Sequence, residues 1–260
     1  MANSYRQLDQ PAGVPPLELT GERTLPDVPA ENYWYRRHLA VYEWIGARVI
    51  GQRVVDMACG EGYGSEVLSR GAESVLGVEA NPEAFEHARL RYPRQNLRFE
   101  RGLVETHGED GAFDVVVFLQ TIEHVHHPVA VLRHFARLLA PGGCVYVSTP
   151  NLLTIAPPGA AKSSNPWHLK EYRAHEFDAL CRTVFGDVEL LGVVHARRLR
   201  AHELALRLGW DAVHPRLRLT KPFYDRFTPA IAASDFRLRP YGLDRALDFV
   251  AVCRSPRHPS

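Results

Sequence analysis

Glu123 and His124 stand side by side in the segment QTIEHVHHP, directly after the apolar run FDVVVFL at Phe113 to Leu119. Histidine titrates near neutral pH, so His124 is the natural group to take a proton from a hydroxyl. Glu123 can orient it or help to hold a cation. The bland alternative is a helix-capping pair with no chemistry. His126 and His127 follow at once, but neighbours along an extended loop point in different directions, so both are expected in solvent. A second segment, NPWHLKEY at Asn165 to Tyr172, offers His168 as an acceptor contact or alternative base, and Trp167 as a flat apolar face of the kind that suits sugar CH surfaces. Simple packing of that loop is the alternative. A third constellation is VVDMACGEGYGS at Val54 to Ser65, followed by Glu79. Gly60, Gly62 and Gly64 permit a tight strand-to-helix turn that a ligand can approach closely. A carboxylate at Glu79 can accept both ribose hydroxyls of an adenosine.

These side chains need a scaffold, and the apolar pattern supplies one. Trp34, His38, Val41 and Ile45 recur at helical spacing. A strand is expected at Arg53 to Met57, then the glycine turn and a helix to about Arg70. Ser74 to Glu79 reads as a second strand. Asn81 and Pro82 look like an N-cap and first-turn proline, opening a helix to about Tyr92. Asn96 to Glu100 reads as the third strand, and FDVVVFL as a fourth, buried on both faces. Pro128 to Leu139 carries one apolar helical face, Pro141-Gly142-Gly143 is expected to stop it, and Cys144 to Ser148 is the fifth strand. Glu171 to Phe185 reads as a helix, with last strands at Asp187 to Val194 and Leu247 to Cys253.

Such alternation implies an α/β fold, a parallel sheet with helices on both faces, and a ligand at the carboxyl ends of the strands. Residues 1–30 read as an extended N-terminal arm with a disordered tip, and 31–255 as one domain. Residues 195–245, with Arg197, Arg198, Arg200, Trp210, Pro215 and Pro222, read as an inserted cap between the last two strands. The three arginines could meet a phosphate or form a solvated helix face.

The 260 residues are 45% hydrophobic and 23% charged, with a formal net charge of +1. No global field therefore draws nucleic acid or a membrane surface. The 4 cysteines form no CxxC pair, which argues against a zinc site or redox dithiol. No apolar run is long enough to span a bilayer, and no signal-peptide core is present, so a cytoplasmic setting is expected.

The glycine turn and Glu79 suit a nicotinamide dinucleotide and S-adenosylmethionine equally. The downstream order decides: QTIEH, a helix, then LLAPGGCVYVSTPN. With these motifs the chain resembles the class I S-adenosylmethionine-dependent methyltransferases, which implies a Rossmann-like, seven-stranded, mostly parallel sheet. Its middle is similar to the ubiquinone-type O-methyltransferases. GERTLP at Gly21 to Pro26, NPWHLKEY, SDFRL and LDFVAV resemble actinobacterial methyltransferases of methylglucose and methylmannose polysaccharide and surface-glycan biosynthesis. The resemblance implies that Asp56, Ala58, Gly60 and Gly62 line the methionine and ribose end. The family usually has glycine at the position of Ala58. Glu79 would hold the ribose, Ala80, Gly102 and Leu103 would flank the adenine, and Gln120 would sit beside the methionine. Arg23, His38 and Tyr42 would close over the cofactor.

Methyl transfer is an in-line displacement in which the protein chiefly aligns nucleophile, methyl and sulfur. A sugar hydroxyl is a poor nucleophile and needs a base or a metal. His124 is the expected base, with Glu123 beside it and His168 as the alternative. The ubiquinone-type enzymes carry a carboxylate metal ligand where this chain has Gln120, which leaves a bound Mg²⁺ open. The expected acceptor is a saccharide or glycoconjugate; the alternative is a quinone, polyketide or other natural product. A nucleic-acid methyltransferase is disfavoured by QTIEH in place of an Asn/Asp-Pro-Pro-aromatic motif. A non-enzymatic cofactor-binding module is disfavoured by His124. A homodimer through the cap is a further expectation.

Overall fold

The structure is a computed structural model and describes residues 7, 10–19, 23–157, 159–210, 213 and 220–257. The N-terminal tip at 1–6, Gly21, Glu22 and Pro215 lie outside the described residues. One mixed sheet runs through the domain, built from β1 (Arg53–Met57), β2 (Ser74–Glu79), β3 (Leu97–Arg101), β4 (Phe113–Phe118), β5 (Leu139–Pro150), β6 (Phe185–His195), β7 (Phe236–Arg239) and β8 (Asp248–Pro256). Its order is β3-β2-β1-β4-β5-β8-β6-β7. The first five strands pair in parallel, β8 runs antiparallel between β5 and β6, and β7 pairs antiparallel with the end of β6.

The helices are α1 (Asn32–Gly46), α2 (Tyr63–Ser69), α3 (Pro82–Arg91), α4 (Pro128–Leu138), α5 (Leu152–Ile155), α6 (Ala174–Arg182), α7 (Arg197–Arg207) and α8 (Thr220–Phe227). Successive residues of a strand face opposite sides of the sheet, and β4 shows why its run is apolar throughout. Val115 and Val117 pack with Ile45 of α1 and Leu68 of α2 on one side. Val116 and Phe118 pack with Leu132 and Phe135 of α4 and Phe177 of α6 on the other. Asn81 caps α3 as its sequence suggests, accepting the N–H groups of Glu83 and Ala84 at 3.0 Å each.

Two expectations are corrected. The sheet has eight strands, not seven, because Phe236–Arg239 leaves the insertion to pair with Gly192–His195. The rest of the described insertion carries α7, α8 and two short 3-10 turns at Ala233–Asp235 and Leu243–Arg245. The Pro141-Gly142-Gly143 turn also does not precede β5 but lies within it. Leu139 already pairs with Phe113, and a register shift between Phe113 and Val115 absorbs the extra residues, with Gly142 taking φ +82°.

The arm before α1 packs on the domain. Leu17, Leu25 and Val28 form a small core with Ala84 of α3. The Gln7 amide donates to Glu61 Oε1 at 3.3 Å and to the Pro26 carbonyl at 3.2 Å. Glu61, buried at the glycine turn, also meets His87 Nε2 at 3.1 Å and the Tyr92 hydroxyl at 2.9 Å.

Candidate active site

Each glycine of the strand-to-helix turn has a separate task. A Cβ on Gly62, whose φ is +94°, would lie 2.8 Å from the Ala88 Cβ of α3, and a Cβ on Gly64 would enter the Tyr42 ring. These two let α3 and α1 close on the turn. Gly60, at φ +58°, has nothing within 4 Å of its would-be Cβ. Its face is the one open to a ligand. Ala58 holds φ +58° with a side chain present, a left-handed backbone that glycine adopts without strain.

Glu79 reaches into the turn from the end of β2. Its Oε2 accepts the Gly60 N–H at 2.9 Å and its Oε1 the Asn81 N–H at 2.8 Å. A carboxylate oxygen has a second lone pair, so both can still accept a diol. Asp56 lies buried beneath the turn, accepting the Ser65 hydroxyl at 2.7 Å and the Tyr42 hydroxyl at 3.2 Å. Burial pushes its carboxyl up to about 7. Gly102 sits beside Glu79 and donates its N–H to the Glu79 carbonyl at 3.1 Å. Leu103 is exposed, and the Ala80 carbonyl accepts from Arg101 at 3.3 Å. His107, which the sequence does not single out, lies over Gly102, 2.3 Å from where a Cβ would be, and pairs with Glu100 at 2.7 Å.

From Gly60 a narrow cleft of about 100 Å³ runs past Ala58, Tyr42, His38, Arg23 and Gln120. It leads into a wider cleft of about 320 Å³, with Arg23, Thr24, His38 and Gln120 on the walls of both. The structure thus brings nine sequence-chosen residues onto one continuous surface: Arg23, His38 and Gln120 on the shared walls, Tyr42, Ala58 and Gly60 at the narrow end, and Glu123, His124 and His168 at the wide end. Asp56, Gly62, Glu79, Ala80, Gly102 and Leu103 lie on neither wall. His38 Nδ1 meets the Thr24 hydroxyl at 3.1 Å, and burial pulls its pKa down to about 4, so the ring is neutral. Gln120 lies two residues past β4 at φ +52°. Its backbone N–H and its side-chain amide both donate to Ser148 Oγ at 3.0 Å.

The wide cleft is formed where the NPWHLKEY loop docks on the turn Ile122–His124. The Glu123 carbonyl accepts the Leu169 and Lys170 N–H groups at 2.8 and 3.2 Å. His124 Nδ1 donates to the Trp167 carbonyl at 2.9 Å, so the neutral ring carries its lone pair on Nε2. His168 stacks edge-on, its ring centre 4.9 Å from that of His124. Its Nδ1 meets Glu171 Oε1 at 2.7 Å and its Nε2 the Asn165 amide at 3.0 Å. A buried carboxylate behind an imidazole fixes the ring and its tautomer. Burial acts to raise the Glu171 pKa, but hydrogen bonds from Ser163 and His168 outweigh it and hold the group below the usual carboxylate range. Glu171 went unmarked in the sequence, although the spacing His-x-x-Glu was there to be read. Glu123 is the opposite case: burial raises its carboxyl to about 8, against a hydrogen bond from the Thr149 hydroxyl at 3.1 Å.

Glu123, His124 and His168 each offer a ligand atom, all within 4.8 Å of one another. One carboxylate and two imidazoles do not suit Mg²⁺, which prefers oxygen; the set suits Mn²⁺ or Zn²⁺ better. His126 and His127 are exposed, as expected. Trp167 is also half-exposed, at 49%. None of the described residues of 195–245 lines the wide cleft; the insertion packs instead beside α1, where the Asn32 amide donates to the Thr228 and Ile231 carbonyls. A larger hollow of about 610 Å³ opens at the amino ends of β1 to β4, beside Arg53, Ser74, Leu97 and Phe113, across the sheet from the glycine turn.

Residues 55–147 match the methyltransferase domain family. A protein of Mycolicibacterium smegmatis named as a probable S-adenosylmethionine-dependent methyltransferase is 37% identical over 92% of this chain and 96% of its own. A ubiquinone biosynthesis O-methyltransferase of Albidiferax ferrireducens is 32% identical over 64% of this chain and 70% of its own. An S-adenosylmethionine-dependent methyltransferase of Thermotoga maritima shares the fold, with a TM-score of 0.58 at 16% identity over 86% of this chain and 93% of that one. Among the described residues no helix is long and apolar enough to cross a membrane. The chain belongs to the S-adenosylmethionine-dependent methyltransferases, and S-adenosylmethionine is its methyl donor.

Proposed function

We propose that the enzyme is an O-methyltransferase that moves the methyl group of S-adenosylmethionine to a hydroxyl of a saccharide or glycoconjugate, with His124 as general base. The observation that carries this reading is the pair of joined clefts, a narrow one starting at Gly60 and a wide one holding His124 and His168. The donor enters at the glycine turn. Glu79 accepts the ribose hydroxyls, and Ala80, Gly102 and Leu103 flank the adenine. Ala58, Gly60, Gly62 and Gln120 bound the ribose and methionine end, with Asp56 holding the turn from below. Arg23, His38 and Tyr42 close over the cofactor from the arm and α1, so the described residues of the arm act as part of one domain with the rest.

The acceptor lies in the wide cleft with its hydroxyl between His124 and the methyl group. The new C–O bond forms as the S–C bond breaks, S-adenosylhomocysteine leaves, and the hydroxyl proton passes to His124 Nε2. Glu123 holds the loop through its carbonyl, and His168, backed by Glu171, orients the acceptor. The polar wall of Ser163, Ser164 and Asn165, with the Trp34 ring on the same cleft, favours a sugar; Trp167 is half-exposed and does not line this cleft. A quinone-type phenol is the second reading, favoured by the likeness to the ubiquinone biosynthesis O-methyltransferase.

The deciding experiment offers labelled S-adenosylmethionine with mono- and oligosaccharides, partly methylated ones included, and with catechol-type phenols, each with and without EDTA. Label transfer to a sugar supports the reading. Transfer to phenols alone replaces it with the second, and loss of turnover in EDTA moves the proton-removing role from His124 to a bound cation.

A further inference from the structure

A hollow of about 510 Å³ lies between α7, the end of β6, β7 and the turn before β8. Arg197, Arg200, Arg239 and Arg245 all line it. None of the four is in an ion pair among the described residues. Their neighbour Arg198 shows the contrast: it turns away, donates to the Ala230 carbonyl at 2.6 Å and lies 3.9 Å from Asp235. The carboxylate on the wall, Glu203, is 3.3 Å from His195 Nδ1. Arg239 packs its guanidinium over the Tyr241 ring at 5.0 Å, and its Nε is buried with no hydrogen-bond partner. A buried donor without a partner costs free energy, and like charges gathered in one hollow repel. An oxyanion in the hollow offsets the repulsion between the guanidinium groups. The first turn of α7, which begins at Arg197, adds unpaired backbone N–H groups on the same side.

We infer that this hollow binds a phosphate-bearing ligand, a phosphomonoester or a diphosphate, at a site separate from the methyl-transfer clefts. Guanidinium groups match phosphate oxygens in paired hydrogen bonds, and several together favour a multiply charged oxyanion over chloride or a single carboxylate. The separation is visible in the wall between the sites. Leu247 lines the hollow and gives its carbonyl to Arg37 at 2.8 Å. Arg37 in turn lies 4.9 Å over Trp34, which lines the acceptor cleft. The guanidinium of Arg37 is itself committed to Asp248, so it is not a fifth ligand for the anion.

Isothermal titration of the full chain with sodium pyrophosphate and with orthophosphate tests the site without any methyl transfer, so it stands apart from the identity of the acceptor. Two double variants are compared, R239Q/R245Q and R197Q/R200Q, because Arg239 is partly buried whereas Arg197 and Arg200 are exposed on a helix surface. S-adenosylhomocysteine affinity and the thermal midpoint report whether each variant is folded. Pyrophosphate is expected to bind the wild type and raise its thermal midpoint, and each folded double variant to bind at least ten-fold more weakly while keeping its S-adenosylhomocysteine affinity. No binding to the wild type, or unchanged binding in both variants, overturns the site. A second arm sediments the protein with phosphatidylcholine vesicles with and without phosphatidic acid. Phosphatidate-dependent sedimentation that both variants lose assigns the phosphate to a lipid headgroup. Pyrophosphate binding without sedimentation assigns it to a soluble ligand.

Discussion

The two ends of the joined clefts are built differently. In the proposed reading, the groups at the donor end belong to the backbone or lie at or just past strand ends: Gly60, Ala58 and Gln120, with Glu79 pinned by two backbone N–H groups. At the acceptor end the groups are side chains on irregular loops. Their positions depend on contacts across the sequence, such as His124 to Trp167 and the Glu123 carbonyl to Leu169. A ligand common to many enzymes can be held by geometry that a sheet supplies by itself. A ligand particular to one enzyme needs a wall that varies without disturbing the sheet. The two ends should therefore fail independently when mutated.

His124→Ala is the widest test of that independence. Turnover should fall by about 10²- to 10⁴-fold, the usual worth of a positioned general base, while S-adenosylhomocysteine affinity by calorimetry stays within about two-fold. Retained turnover removes His124 as base, and a parallel loss of cofactor affinity breaks the division into two ends. Glu79→Ala is the converse. Two charge-assisted hydrogen bonds to the ribose disappear, at roughly 1.5–3 kcal/mol each, so cofactor affinity should drop by at least about 100-fold. Unchanged affinity sinks the ribose assignment. Because Glu79 also ties Gly60 to Asn81, Glu79→Gln is the companion variant, with an intermediate loss expected.

The same division explains what the sequence discloses. Strand and helix periodicity placed β1, β2 and the cap of α3 closely, because each depends on neighbours in the chain. The donor-end residues follow from their position at strand ends. Glu171 is different. The spacing His-x-x-Glu hints at its contact with His168, but its full part arises only when the loop folds back so that Ser163 also reaches its carboxylate. The arm is a similar case: Leu17 and Leu25 look like stray apolar residues in a proline-rich stretch until Ala84 of α3 covers them. The insertion at 195–245 misled for the opposite reason. Its loose pattern suggested a cap, whereas Phe236–Arg239 is a short edge strand whose partner lies in β6. An edge strand this short carries too few alternations to be told from a loop.

Each end also holds a carboxyl group whose pKa burial raises, and pH tests both. Burial raises Glu123 to about 8 and Asp56 to about 7. With the folded pKa above the unfolded one, the native state keeps a proton that the unfolded chain has shed. The stability from each group is therefore fully present below its unfolded pKa, roughly 4, and is lost as pH rises through the folded value. Glu123→Gln keeps the shape and can still accept from Thr149, but it cannot ionise. Its urea midpoint should fall less than that of the wild type between pH 5 and pH 8, with the remaining decline belonging to Asp56. Parallel profiles for the two proteins would show that Glu123 does not titrate in that window.

The smallest expected effect lies where the two ends meet. Ala58 and Gln120 both hold left-handed backbone, at φ +58° and +52°, and such a conformation costs an L-residue about 1–2 kcal/mol. Ala58→Gly removes that cost at the donor end, and the extra freedom of glycine in the unfolded chain takes back about half of it. A rise in thermal midpoint of about 2–4 °C is expected for a chain of this size, with cofactor affinity little changed. At Gln120 the same relief comes with a loss, because its side-chain amide donates to Ser148 Oγ. Gln120→Gly should therefore show no gain in midpoint and a weaker grip on the cofactor, since the wall shared by both clefts has lost its side chain. If the two glycine variants gain stability equally, the amide of Gln120 does not hold the junction, and strain alone distinguishes these positions from the rest of the strand ends.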